Sequence, residues 1–206
     1  MSEDIHLDVR RPFGPSLGKV NIPESLINKI NNYIDEIIDK DKIAAEQNDY
    51  GSSLAGQVKQ EIRLPKNIVE GELLDYLISI TKTYIKISCE REITKFELMS
   101  TWVVRQFEHE YNPAHVHGGH VSGAGYLKLP ESFGNPIQEK KTNVHGNINF
   151  FHGSKQFLSS ATLTEKPKVG DFYIFPHYLM HSVNPFIGPG ERRSISFNAK
   201  VDEEIF

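Results

Sequence analysis

Near residue 94 the chain changes texture, and that change limits its fold more than any other feature. From Thr94 onward, short runs of aromatic and β-branched residues alternate with Gly, Pro and Asn, the composition of strands closed by turns. Strands are expected near Phe96 to Met99, Thr101 to Glu108, Val121 to Leu129, Asn147 to Phe151, Ala161 to Leu163, Asp171 to Phe175 and Arg192 to Val201. Many short strands with such punctuation pack as a sandwich, barrel or jelly roll rather than as a parallel sheet. Pro130 to Gly146 lacks the pattern and reads as a mobile loop beside whatever site the strands enclose.

Before residue 94 the reading is mainly helical. From Pro23, a residue suited to a first helical turn, Leu26, Ile27, Ile30, Ile34, Ile37 and Ile38 recur at the three-and-four spacing of one buried stripe. Leu73, Leu74, Leu77, Ile78, Tyr84 and Ile85 predict a second helix that ends before Ile93. Between them, the polar stretch from Asp49 to Gly56 reads as a loop with a short strand ending near Pro65. A length of 206 residues buries a proper core but is short for two ordinary domains. One domain, 1–206, is expected, with 1–93 as mainly helical support and 94–206 as the β core.

A formal charge of −4 gives no attraction for nucleic acid, and Lys140-Lys141 beside Glu139 reads as a solvated loop. Cys89 is the only cysteine, which removes intramolecular disulfides and thiolate metal clusters. Met1 to Asp8 is acidic and lacks the apolar centre of a signal peptide. No apolar run approaches the roughly 20 residues of a membrane helix. A soluble, cytoplasmic protein is expected, with enough apolar surface on its N-terminal helices for a homodimer.

Eight of the nine histidines lie between His109 and His181. Alternate residues of an extended chain project to one side, so His115 and His117 can hold one ion where a turn runs into a strand. His181 follows a second strand-like run and supplies a third nitrogen if the chain folds back on itself. Taken alone, His-x-His also describes two polar residues lining a Gly-rich turn. Further on, period two puts Arg192, Ser194, Ser196 and Asn198 on one face and Arg193, Ile195 and Phe197 on the other. An arginine flanked by hydroxyls suits an anion, although an edge strand with a surface arginine has the same pattern. Tyr126 sits on the strand just after the first two histidines, as a half-buried aromatic or a hydroxyl donor. Asp171 reads as a turn residue that opens a strand. Trp102, Phe107, Phe150, Phe151, Phe172 and Phe175 read as core, with one of them available to wall a pocket.

The ordered set His115-x-His117, Ser122-Gly123-x-x-Tyr126-Leu127, Gly170-Asp171-Phe172-Tyr173-Ile174-Phe175-Pro176, His181-Ser182-Val183-x-Pro185 and Arg192-x-Ser194-x-Ser196-Phe197-Asn198 resembles the Fe(II)- and 2-oxoglutarate-dependent oxygenase superfamily. It is most similar to the small oxygenases of bacteria and tailed phages, over roughly Trp102 to Lys200. The resemblance implies an α+β, mainly β fold: a double-stranded β-helix, the cupin-like jelly roll, with supporting N-terminal helices. It implies His115, His117 and His181 on Fe(II), and Arg192, Ser194 and Tyr126 on the cosubstrate 2-oxoglutarate, with dioxygen as oxidant. The second substrate is unidentified, and the compartment would be the host cytoplasm for a phage-encoded chain. One departure stands out: the family pattern is His-x-Asp or His-x-Glu, whereas position 117 is histidine. His120, Glu110 and Asp171 are the alternatives for that place. A three-histidine cupin-like enzyme that does not use 2-oxoglutarate, and a jelly-roll binding module without activity, are the competing functions.

Overall fold

The computed structural model describes residues 7–10, 14–136, 138 and 141–203. Its elements, in chain order, are β1 (Asp8–Arg10), β2 (Leu17–Asn21), α1 (Glu24–Tyr33), α2 (Lys42–Gln47), β3 (Gln60–Arg63), α3 (Lys66–Val69), α4 (Glu72–Cys89), β4 (Phe96–Gln106), β5 (Asn112–His115), β6 (Val121–Lys128), β7 (Ile148–Phe151), β8 (Thr162–Glu165), β9 (Asp171–Pro176), β10 (Met180–Val183) and β11 (Arg192–Val201). Two antiparallel sheets result, one ordered β1-β2-β9-β6-β11-β4-β3 and the other β5-β10-β7-β8. Strands β4 to β11 supply four to each sheet and form the double-stranded β-helix. The segment before residue 94 contributes strands as well as helices, because β1 to β3 widen the larger sheet at its two edges.

Side-chain alternation divides the interior into two cores. Ile195, Phe197 and Ala199 of β11 pack with Phe172 and Ile174 of β9 against Leu26 and Ile30 of α1 and Leu73, Leu77 and Tyr84 of α4. On the opposite face, Tyr126, Tyr173 and Phe175 meet Ile148, Phe150 and Val183 of the smaller sheet. Each fully buried apolar side chain of this size contributes roughly 1.5–3 kcal/mol. Gly123 and Gly125 are glycine for a packing reason: a Cβ there would come within 2.5 and 2.3 Å of the Phe172 ring.

Several expectations change. The two strands expected on either side of Ser100 are one strand, β4, interrupted by a bulge: pairing steps from Ser100↔Asn198 to Leu98↔Ala199 and leaves Met99 as the extra residue. Strands β5 and β10, four residues each, fall outside the expected set. Pro23 stands one place before the first helix, and beyond Tyr33 that helix continues as a π-type turn over Ile34–Ile38. The wider turn rotates Ile37 outward, so it is not part of the buried stripe. In the 130–146 region, Phe133 packs edge-on to Phe186 and its carbonyl accepts from Ile187 N. No described residue of that region lines the cavity described below. Met1 to His6, Glu139 and Lys140 lie outside the described residues. Among those described, no helix is long and apolar enough to cross a membrane.

Candidate metal centre

Strands β5 and β10 pair with His115 directly opposite His181, which brings the two stretches of chain together. His117 follows β5 by two residues, and its backbone N–H donates to the His177 carbonyl at 3.0 Å. The His-x-His pair therefore sits where a strand runs into a turn, the reverse of the expected order. One ring nitrogen from each of His115, His117 and His181 lies within 4.8 Å of the others, and Nε2 of His117 is 3.1 Å from Nε2 of His181. Two nitrogens bound at right angles to one ion, each about 2.1 Å from it, stand about 3 Å apart.

The backbone orients these rings. Nδ1 of His115 is 2.7 Å from the Pro113 carbonyl, and Nδ1 of His181 is 2.9 Å from that of Leu179. A carbonyl only accepts, so each Nδ1 carries the proton and each Nε2 presents its lone pair, the state a metal needs. Burial and the neighbouring imidazoles push His117 down to about 4 and His181 down to about 3. Burial also lowers His115, against the opposing pull of its bond to Pro113. All three are therefore neutral at pH 7.

The alternative ligands are engaged elsewhere. His120 Nδ1 accepts from Val201 N, the Glu110 carboxylate accepts from Lys59 N and Phe107 N, and Asp171 opens β9 paired to Lys19 at 2.7 Å.

A cavity of about 290 Å³ opens beside the imidazoles, lined by Arg192, Ser194, Ser196 and Asn198 of β11 and by Ala124 of β6. Arg192 is 2% exposed. Its Nη1 donates to Gln106 Oε1 at 3.2 Å, and its guanidinium carbon lies 4.8 Å from the centre of the Tyr126 ring. Among the described residues no carboxylate pairs with it, and burial depresses its pKa. Arg192 Nε and the Tyr126 hydroxyl are buried without a hydrogen-bond partner. Orphaned donors of this kind typically cost about 1–3 kcal/mol each, more when charged. A carboxylate fits the deficit, since a guanidinium offers a planar pair of donors and Tyr126 adds a third.

Part of the wall had no signal in the sequence reading. Tyr50, Ser53, Leu54, Ala55, Gly56 and Glu61 line the same cavity, although they come from the polar stretch before Pro65. Alternation within β3 was the only available clue, since Ile62 is a core residue and Glu61 must then face the other way. Trp102, expected in the core, walls the cavity. Its ring stands 5.9 Å from Tyr50 and 5.8 Å from His117.

Residues 100–198 match the family described as "Putative 2OG-Fe(II) oxygenase". No curated protein matches the chain. Among solved structures, the collagen prolyl hydroxylase of Paramecium bursaria Chlorella virus-1, in complex with 2-oxoglutarate, superposes with a TM-score of 0.55 at 16% identity, covering 89% of this chain and 94% of its own. A Pseudomonas putida prolyl-4-hydroxylase gives 0.54 at 13% identity, covering 96% and 92%. HygX of Streptomyces hygroscopicus, with nickel and 2-oxoglutarate bound, gives 0.50 at 10% identity, covering 89% and 82%. At these identities the structural likeness speaks for the fold, and the family match carries the chemistry.

Proposed function

The β-rich segment belongs to the 2OG-Fe(II) oxygenase superfamily, and from that premise we propose that His115, His117 and His181 hold the iron while Arg192, Ser194 and Tyr126 seat 2-oxoglutarate. The chain is an oxidoreductase, an Fe(II)- and 2-oxoglutarate-dependent oxygenase. Bound iron supplies dioxygen activation coupled to decarboxylation of 2-oxoglutarate to succinate and CO2, with hydroxylation of a second substrate as the expected outcome.

The protein's share is positioning. Three imidazoles arriving from one side would hold a bound ion and leave its other side open to small molecules. Hydrogen bonds from Nδ1 to Pro113 and Leu179 keep two of the rings from turning away. Arg192, fixed by Gln106 and stacked on Tyr126, holds one carboxylate in a single orientation and so aims the other end of the diacid. Trp102 and Tyr50 close a side of the cavity against water. With histidine at 117, the ligand set contributes no negative charge. The dianionic cosubstrate then supplies the neutralisation that a carboxylate ligand would have given.

The observation that carries this reading is a fully buried guanidinium with no carboxylate partner among the described residues, on the same cavity as three converging imidazoles. Anaerobic titration of the metal-free protein with Fe(II) and then 2-oxoglutarate tests it. A weak visible charge-transfer band is expected that requires both additions, followed by succinate formation on admitting oxygen. A folded protein that gives neither band nor succinate overturns it.

A further inference from the structure

The cavity has two charged ends, and 2-oxoglutarate accounts for only one. Across the larger sheet, Glu61 of β3 is opposite Val104, Val104 opposite Ser194, and Ser194 opposite Tyr126. Paired residues share a face, so all four point inward. Adjacent strands are about 4.8 Å apart, which sets Glu61 about 10 Å from Ser194 and about 14 Å from Tyr126. Glu61 and Arg192 therefore do not neutralise one another, and no cation among the described residues acts on Glu61.

Glu61 is 3% exposed yet lines the cavity, and among the described residues no hydrogen bond or ion pair reaches its carboxylate. Beside it, the Asn112 side-chain oxygen is also buried without a partner. A Cβ on Gly56 would stand 2.8 Å from both Glu61 Oε1 and Asn112 Oδ1, so glycine at 56 leaves open the space between two acceptors. The segment that carries it is tied across the gap between the sheets by paired backbone bonds of Gln57 with Tyr111. The result is a firm pocket wall on which two neighbouring acceptors, the Glu61 carboxylate and Asn112 Oδ1, await donors. Burying a carboxylate without a partner is costly, and a cationic donor delivered by a ligand removes that cost.

We propose that the second substrate of this oxygenase carries a cationic nitrogen, an amine or guanidinium, which the Glu61 carboxylate and the Asn112 side-chain oxygen hold across the cavity from 2-oxoglutarate. The proposal rests on the oxygenase reading above. Burial, with Asp49 nearby, pushes the Glu61 carboxyl up to about 7, so its binding is best measured at pH 8.

The test uses the full chain loaded anaerobically with Fe(II) and 2-oxoglutarate, titrated calorimetrically with butylguanidinium and with its uncharged isostere butylurea. Butylguanidinium is expected to bind the wild type at least tenfold more tightly than it binds Glu61→Gln or Gly56→Ala, and butylurea to show no such preference. Glu61→Gln removes an unpaired buried charge while keeping the shape, so its Tm should not fall, and Gly56→Ala fills the space between the two acceptors while leaving the charge of the carboxylate in place. Equal binding of the cation by wild type and Glu61→Gln, equal binding of urea and guanidinium by the wild type, or no binding of butylguanidinium overturns the proposal. The visible band separates the two failures. If it forms in both proteins the oxygenase reading stands whatever the calorimetry gives, and its absence from the wild type defeats that reading itself.

Discussion

Arg192 and Arg193 are neighbours on β11, and both are almost wholly buried, at 2% and 0% exposure. Their surroundings are opposite. Arg193 points to the helices, where Glu191 takes its Nε at 2.8 Å, Asp35 takes Nη2 at 2.6 Å and Asn31 takes Nη1 at 3.0 Å. Arg105 completes that network by sharing Glu191 and pairing with Asp39. Arg192 points between the sheets and meets one neutral amide oxygen and one aromatic face. The helix face of the strand has a charge with every partner supplied by the fold, and the cavity face has a charge whose partner must come from outside. Burial alone therefore does not tell a structural cation from a binding one; the inventory of its partners does.

Exchanging the side chains for methionine would break this comparison most sharply. Arg193→Met leaves Glu191 and Asp35 with less compensation, and the loss should be about 3–5 kcal/mol, the usual size for breaking a buried pair. Denaturant unfolding should report it, with the KM for 2-oxoglutarate unchanged in the protein that remains folded. Arg192→Met should do the converse. Loss of charge-assisted bonds worth about 1.5–3 kcal/mol raises the KM for 2-oxoglutarate by about 10- to 100-fold, while Tm holds or rises because an unpaired buried charge is gone. If both variants lose stability alike, the distinction between the two faces is wrong.

Acid should separate the same two regions more gently. His117 and His181 have folded values below the ordinary imidazole value of about 6.5, so the unfolded chain binds more protons between those limits. Their contribution is full above about pH 6.5 and is lost as pH falls toward the folded values. For Glu191, burial works to raise the pKa, but Arg193 and Arg105 outweigh it and leave the carboxyl lowered. Its contribution survives until the pH drops below the ordinary carboxyl value of about 4.3. Glu61, raised to about 7, works in the opposite direction over this range, so the comparison is made in Glu61→Gln, whose metal-free form should lose several degrees of Tm, about 5 °C, between pH 7 and 5. Adding His181→Asn to that variant should flatten the slope and adding Glu191→Gln should not. A Tm of Glu61→Gln that stays level down to pH 5 would contradict the histidine assignment.

The alternation that divides these arginines was readable in the sequence because sheet geometry dictates it: Ile195 and Phe197 had to share a face, and Arg192 and Ser194 the other. The jelly roll was readable for the same reason, strand by strand, along with the ordered set of motifs that resembles the family. Strands β5 and β10 were not, since four residues are too few to show a period and β5 contains Pro113. The wall from Tyr50 to Glu61 was also hidden. It exists only because β3 adds to β4 and Gln57 bridges to Tyr111, contacts whose partners lie about 40 or more positions apart in the chain.

The bulge at Met99 has a consequence for how such a strand can change. On its C-terminal side Trp102 and Val104 face the cavity, while on its N-terminal side Phe96 and Leu98 pack toward the helices. Both sets occupy even positions, so the extra residue acts as a phase reset between two half-strands of opposite parity. Straightening the strand with Met99 retained would force one half to turn over, either emptying the helix-facing core or removing the tryptophan wall, whereas deleting Met99 sets Leu98 beside Ser100 in plain alternation and keeps both faces. In this strand, residue count is as much a determinant of the site as residue identity.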